Sequence, residues 1–179
     1  MRFKNVKEMD MHLWYLEKWK KYVDMEKGEH KTGIYMRIDK NVDDDVKVFC
    51  KNFVRWMRKE FFFPVKVNIY VKENYRIKAK DGELVVGTFW RPEGFEQDNT
   101  PYVRIATGDY QELVAERGKK EAMWSILGTL AHELTHYFQY INQLELTRIG
   151  EERQATVYSD YILSDYDEYL SSKMVSGIS

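Results

Sequence analysis

His132-Glu133-Leu134-Thr135-His136 lies within residues 119 to 143, where Met123, Ile126, Leu127, Leu130, Leu134, Phe138 and Ile141 recur at three-and-four spacing, as in a helix with one buried face. The pentad contains neither proline nor glycine, so the helix is expected to run through it. Positions four apart share a helical face, so both imidazoles project the same way and Glu133, about 100° round, stands beside them. Ser125, Thr129 and Gln139 join the two histidines on the edge opposite the apolar stripe. The pentad is therefore expected where the helix borders a polar groove.

Two imidazoles flanking a carboxylate in this way form the HExxH arrangement of zinc hydrolases. A catalytic zinc site usually takes three protein ligands and leaves the fourth position to water. The chain has only four histidines, His12, His30, His132 and His136, so nothing downstream supplies a third imidazole. His12 and His30 lie in charged, exposed-looking segments and read as incidental. Cys50 is the single cysteine, which rules out a CxxC half-site and an all-cysteine structural site. The third ligand is then a carboxylate.

Beyond Asn142 the helical pattern weakens, and a second run from Glu151 to Leu170 carries Ala155, Tyr158, Tyr161, Ile162 and Tyr169. If the chain reverses near residues 144 to 147, His136 lies roughly 12 Å before the turn at about 1.5 Å per residue. On the same count Glu152 lies roughly 8 Å after it and Asp160 roughly 20 Å after it, so Glu152 is the better match. Glu151, about 100° round the helix from Glu152, stays open as the alternative.

His132-Glu133-x-x-His136 followed by Glu152-x-x-Ala155 resembles the gluzincins, and among them the small single-domain minigluzincins and ImmA/IrrE-type peptidases. Their second motif reads ExxA, then a polar and an aromatic residue; here the stretch is Glu152-Arg153-Gln154-Ala155-Thr156-Val157-Tyr158. The resemblance spans the region from residue 100 to residue 165, and its first motif is the specific one. It implies a zincin-like metallopeptidase in which His132, His136 and a glutamate of the next helix, Glu152 or its neighbour Glu151, hold Zn²⁺. It further implies Glu133 as the general base on a zinc-bound water, with a peptide or protein as substrate. Gluzincins steady the oxyanion with a Tyr or His from outside the pentad; with no spare histidine nearby, Tyr158, Tyr161 and Tyr102 are the candidates. The resemblance also implies a strand ahead of the HExxH helix that pairs with extended substrate, and a latent form in which the tail Tyr169 to Ser179 closes the groove. The alternative is a zinc-bearing domain of the same fold that binds a partner and turns over little. Action on DNA-bound proteins, as in SprT-like enzymes, is weighed against by the missing third histidine and the near-neutral charge.

At 179 residues with 44% apolar composition and three prolines, the chain suits a single domain, 1–179, with enough length to bury a core unaided. The expected fold class is α+β: a small mixed or antiparallel sheet with an edge strand packed on the HExxH helix, then the third-ligand helix. Residues 1–60 are assigned to an N-terminal helical part, 61–107 to the sheet, 108–170 to the active-site helices and 171–179 to the tail. The 28 basic and 29 acidic residues leave a net charge of −1, which gives no overall footprint for nucleic acid. Lys18 to Lys21 and Arg55 to Lys59 are basic clusters interleaved with apolar residues and read as solvated helix faces. The start, Met1 to Glu8, lacks the apolar run of a signal peptide, and no stretch has the apolar length of a membrane span. With one cysteine and no possible internal disulfide, a cytoplasmic location is the expectation.

Met9, Met11, Leu13, Trp14, Leu16, Trp19 and Tyr22 suggest an N-terminal helix ending at Gly28. Asp43-Asp44-Asp45 starts a second helix through Val46, Phe49, Phe53, Val54, Trp56 and Met57, broken by Phe63-Pro64. Val65, Val67, Ile69 and Val71 alternate with polar residues as in a half-buried strand. Asp81-Gly82 reads as the turn of a hairpin between Tyr75 to Lys80 and Leu84 to Trp90, and Pro101 to Ala106 as a strand that proline places at the sheet edge. Cys50 reads as a small buried hydrophobe, and Gly128, costing roughly 1 kcal/mol against Ala, points to close packing of its helix on the sheet.

Overall fold

Val67, Ile69 and Val71 are fully buried and alternate with half-buried Asn68, Tyr70 and Lys72, which places this segment at the centre of a sheet. The computed structural model describes residues 12–28, 31–95 and 99–177. Its strands are β1 (Ile34–Ile38), β2 (Val67–Lys72), β3 (Ile77–Lys78), β4 (Leu84–Val85), β5 (Gly87–Trp90) and β6 (Tyr102–Ala106). Its helices are α1 (Asp44–Glu60), α2 (Tyr110–Ile141) and α3 (Arg148–Val175). Four strands form one mixed sheet in the order β1-β2-β6-β5, with β1, β2 and β6 parallel and β5 antiparallel to β6. The expected hairpin is a separate ribbon of β3 and β4, turned at Gly82 with φ 92°.

The register aligns side chains in rows across the sheet. One row is Met36, Ile69, Val103 and Phe89; the next is Ile38, Val71, Ile105 and Gly87. Helix α1 packs on β1, α2 packs on β5 and β6, and the two helices touch, so these rows form the sheet side of the core. Each aliphatic side chain fully buried there contributes roughly 1.5–3 kcal/mol. On α2, Ile126, Leu127, Leu130, Leu134, Phe138 and Ile141 are buried as their spacing predicts, and Tyr137 is locked by donating to the Val65 carbonyl (2.6 Å) and accepting from the Val65 amide (3.2 Å). Cys50 is wholly buried, with its thiol pushed up to about 12 by burial. No helix among the described residues is long and apolar enough to cross a membrane.

Local signals set the helix ends. Asp43 caps α1 by accepting from the Asp45 amide. Thr147 caps α3 by accepting from the Gly150 amide at 3.1 Å, which starts that helix three residues ahead of Glu151. Gly118 (φ 85°, ψ 164°) interrupts α2, so the stretch from Lys119 onward forms a continuous unit of its own.

Several expectations are corrected. The described part of the N-terminal segment forms two 3₁₀ turns, Leu13–Tyr15 and Lys18–Lys21, where a helix was expected. Its buried residues, Leu13, Trp14, Trp19 and Val23, follow contacts with α2: Trp14 Nε1 donates to Thr135 Oγ1 at 3.1 Å, and the Trp19 amide donates to Asn142 Oδ1 at 3.2 Å. Met9, Met11 and His30 lie outside the described residues. The sheet takes in β1, within the part assigned to helices. Strand β6 is internal, and the edge beside α2 is β5; Pro101 precedes the β6 ladder, where its missing N–H removes no bond. A Cβ on Gly128 would meet Leu163 at 3.4 Å, so the glycine eases contact with α3 and not with the sheet. The tail continues α3 as far as Val175, with Tyr169 against Trp56 and Tyr166, and therefore does not cover the groove; residues 178–179 lie outside the description.

Candidate metal centre

The turn between α2 and α3 lays the two helices side by side. It brings together His132 and His136 from one and Glu152 from the other. His132 Nε2 lies 3.2 Å from Glu152 Oε2, and His136 Nε2 lies 3.4 Å from Glu152 Oε1. The ligand atoms of all three residues lie within 4.8 Å of one another. A tetrahedral ion with bonds of about 2.0–2.1 Å spaces its ligands about 3.3 Å apart, and the two His–Glu separations, each to a different carboxylate oxygen, are of that size. Two imidazole nitrogens and one carboxylate oxygen are also a donor set that zinc accepts.

The orientation of His136 is imposed from behind. Its Nδ1 lies 2.8 Å from Gln139 Oε1. Gln139 is itself fixed, because its Nε2 donates to the Glu151 carbonyl (2.9 Å) and to Gln154 Oε1 (3.0 Å). Its oxygen must therefore face the ring, which places the imidazole proton on Nδ1 and turns the Nε2 lone pair toward Glu152. Gln139 is 2% exposed, so this arrangement is sheltered from water. Of the two glutamates left open by the sequence, Glu152 stands with the histidines. The Glu151 side chain turns instead toward Arg91, with 3.7 Å between Glu151 Oε1 and the guanidinium.

Glu133 projects from the same turn of α2, half-buried and without a hydrogen bond or ion pair among the described residues. Burial, and secondarily the Glu152 charge, push its carboxyl up to about 8. Burial, with the neighbouring His136 charge, lowers the His132 pKa, which favours the neutral ring that binds metal. Gly87 of β5 lies directly beneath. A Cβ there would come within 2.6 Å of Thr129 Cγ2 and 2.8 Å of Glu133 Oε1, so only glycine lets the strand approach the carboxylate this closely.

These residues line a groove of about 620 Å³. Thr88 and Phe89 of β5 form one wall, Asp81 and Glu83 of the β3–β4 turn one end, and Arg91 and Arg148 the cations. Arg148 has no ion pair or hydrogen bond among the described residues. None of the three tyrosines proposed from the sequence lines the groove. Tyr158 packs its ring on His12 at 4.9 Å and on Tyr161 at 5.8 Å, and Tyr102 stacks on Trp90 at 5.2 Å on the opposite face of the sheet. Sequence reasoning missed Gln139 as a positioning residue, though it was placed on the polar edge, and it missed Gly87, Arg91 and Arg148. His12 is another correction. It is 3% exposed, its Nδ1 accepts from the Trp14 amide, and burial pushes its pKa down to about 4.

Compared with protein-family models, curated proteins and solved structures, the chain matches none.

Proposed function

We propose that the chain is a zinc-dependent metallopeptidase of gluzincin type, with His132, His136 and Glu152 as ligands and Glu133 as general base. The observation that carries this reading is the convergence of His132, His136 and Glu152, with ligand atoms within 4.8 Å of one another, beside a half-buried Glu133 that has no hydrogen bond or ion pair among the described residues, in an open groove. Zinc, when bound, supplies Lewis acidity toward a carbonyl oxygen and lowers the pKa of water from 15.7 toward about 7.

The remaining steps belong to the chain. Glu133 takes the proton of the attacking water and delivers it to the leaving amine. Gln139 keeps His136 in the metal-binding tautomer. The open edge of β5 aligns an extended peptide across the groove, since among the described residues β5 pairs only with β6. In place of a tyrosine, Arg148 steadies the charge that develops on the carbonyl oxygen, with Arg91 held back by Glu151.

The test is Glu133→Gln in zinc-loaded protein acting on a peptide library. Hydrolysis is expected to fall about 10²–10⁴-fold with zinc content unchanged, and unchanged hydrolysis overturns the proposal. The second reading is a zinc-bearing domain that binds peptides without turnover, favoured by the absence of a tyrosine lining the groove among the described residues. Capture of uncleaved peptide by fully metallated protein would select it.

A further inference from the structure

The sheet has a second free edge, β1, on the side away from the metal centre. A cleft of about 540 Å³ lies between that edge and α1, floored by Met36, Ile38 and Val54. Its α1 wall carries Lys47, Lys51, Arg55 and Arg58, a stripe at four-four-three spacing along one helical face. Among the described residues the only acid lining the cleft is Asp39, which is 2.8 Å from Lys72 and so already paired. Lys51 and the neighbouring Lys40 have no partner among the described residues.

The backbone of β1 adds a direction to this charge. In a parallel pair, alternate residues turn both backbone groups toward the same neighbour. The Asp39 amide bonds the Val71 carbonyl and the Gly33 carbonyl accepts from Val67, so the odd-numbered residues face β2. Ile34, Met36 and Ile38 therefore turn their N–H and C=O groups outward. The Ile34 carbonyl is already taken by the Arg58 guanidinium, at 3.1 and 2.8 Å. Among the described residues, Met36 and Ile38 are left with two donors and two acceptors on the open side of β1, beside the cleft.

We propose that this cleft captures an extended acidic segment of a partner protein as an added strand on β1, with carboxylates at alternate positions meeting the α1 lysines and arginines. Backbone pairing supplies the register and the basic stripe selects charge. Peptide binding here is independent of the metal centre and of any hydrolysis there.

Fluorescence anisotropy on the full chain tests this with a labelled, C-terminally amidated hexapeptide alternating Glu and Val. Binding is expected, with at least tenfold weakening by Lys51→Glu combined with Arg55→Glu, at least tenfold weakening by N-methylation of alternate peptide amides, and none for the Lys–Val counterpart. The N-methylated peptide needs no protein variant, so a charge reversal that fails to fold, as judged by circular dichroism, leaves the test intact. Absence of binding would leave the basic stripe as charge that blocks edge pairing and overturn the proposal. Equal binding of the N-methylated peptide would overturn it in favour of simple charge attraction. Tighter binding of a thymidine oligonucleotide of equal charge would overturn it in favour of nucleic acid.

Discussion

Gln139 illustrates how much of the site rests on a residue that is not itself a candidate ligand. Gln139→Leu removes the acceptor behind His136 and is expected to weaken zinc binding about 10–100-fold, measured by competition with a chromophoric chelator. Gly87→Ala drives a methyl group into Thr129 and Glu133; overpacking of this kind costs roughly 1–3 kcal/mol, read as a lower urea midpoint, with hydrolysis reduced further than stability alone explains. His12 gives a pH dependence. Its folded pKa, about 4, lies below the unfolded 6.5, so between these values the unfolded chain binds more protons and stability falls as pH falls. Between pH 6.5 and 5 the wild type is expected to lose about 1.6 kcal/mol relative to His12→Asn, which keeps an acceptor for the Trp14 amide and does not titrate; parallel denaturation curves would disprove this. The pentad and Glu152 were legible because helical geometry relates residues close in sequence. Gly87 and Arg91 were not, since their place depends on which strand pairs beside α2.

At the scale of elements, the strongest local signals were read correctly and the failures share a cause. Alternation in β2, the acidic start of α1 and the Asp81-Gly82 turn are properties of a few adjacent residues. The N-terminal apolar residues mimic a helix, but their partners are Thr135, Phe138 and Asn142, and no local pattern reports that. Pro101 carries a local edge signal, yet it precedes an internal strand. The break in α2 is testable at the same scale. Gly118 has φ 85° and ψ 164°, a region open essentially to glycine alone, so Gly118→Ala is expected to cost about 1–3 kcal/mol while zinc content stays unchanged. An unaltered thermal midpoint would mean that the helix is continuous there in solution.

For the whole molecule, α+β character and a small sheet were legible from the mixture of periodicities, whereas the choice between a mixed and an antiparallel sheet, and the strand order, were not, because parallel neighbours are set by crossovers of many residues. Metal held by the candidate centre, which joins α2 to α3, would be coupled to global stability. Zinc at about a hundred times its dissociation constant is expected to raise unfolding free energy by about 2.7 kcal/mol, and His132→Ala with His136→Ala to abolish the gain; an unchanged wild-type midpoint would dismiss the site. The strap formed by Trp14 and Trp19 bears on how the chain is made. The candidate ligands close over 20 residues, but Trp14 and Trp19 meet Thr135 and Asn142 across 121 and 123. Loop closure over the longer span costs about 1.6 kcal/mol more, so the α2–α3 hairpin can form before the strap docks. On a ribosome adding about 5–20 residues per second, Leu13, Trp14 and Trp19 wait roughly 6–24 s, without the surface that buries them, for the last helices to emerge. During synthesis, these apolar residues are thus made well before the surface that protects them, and chaperone demand should concentrate on them.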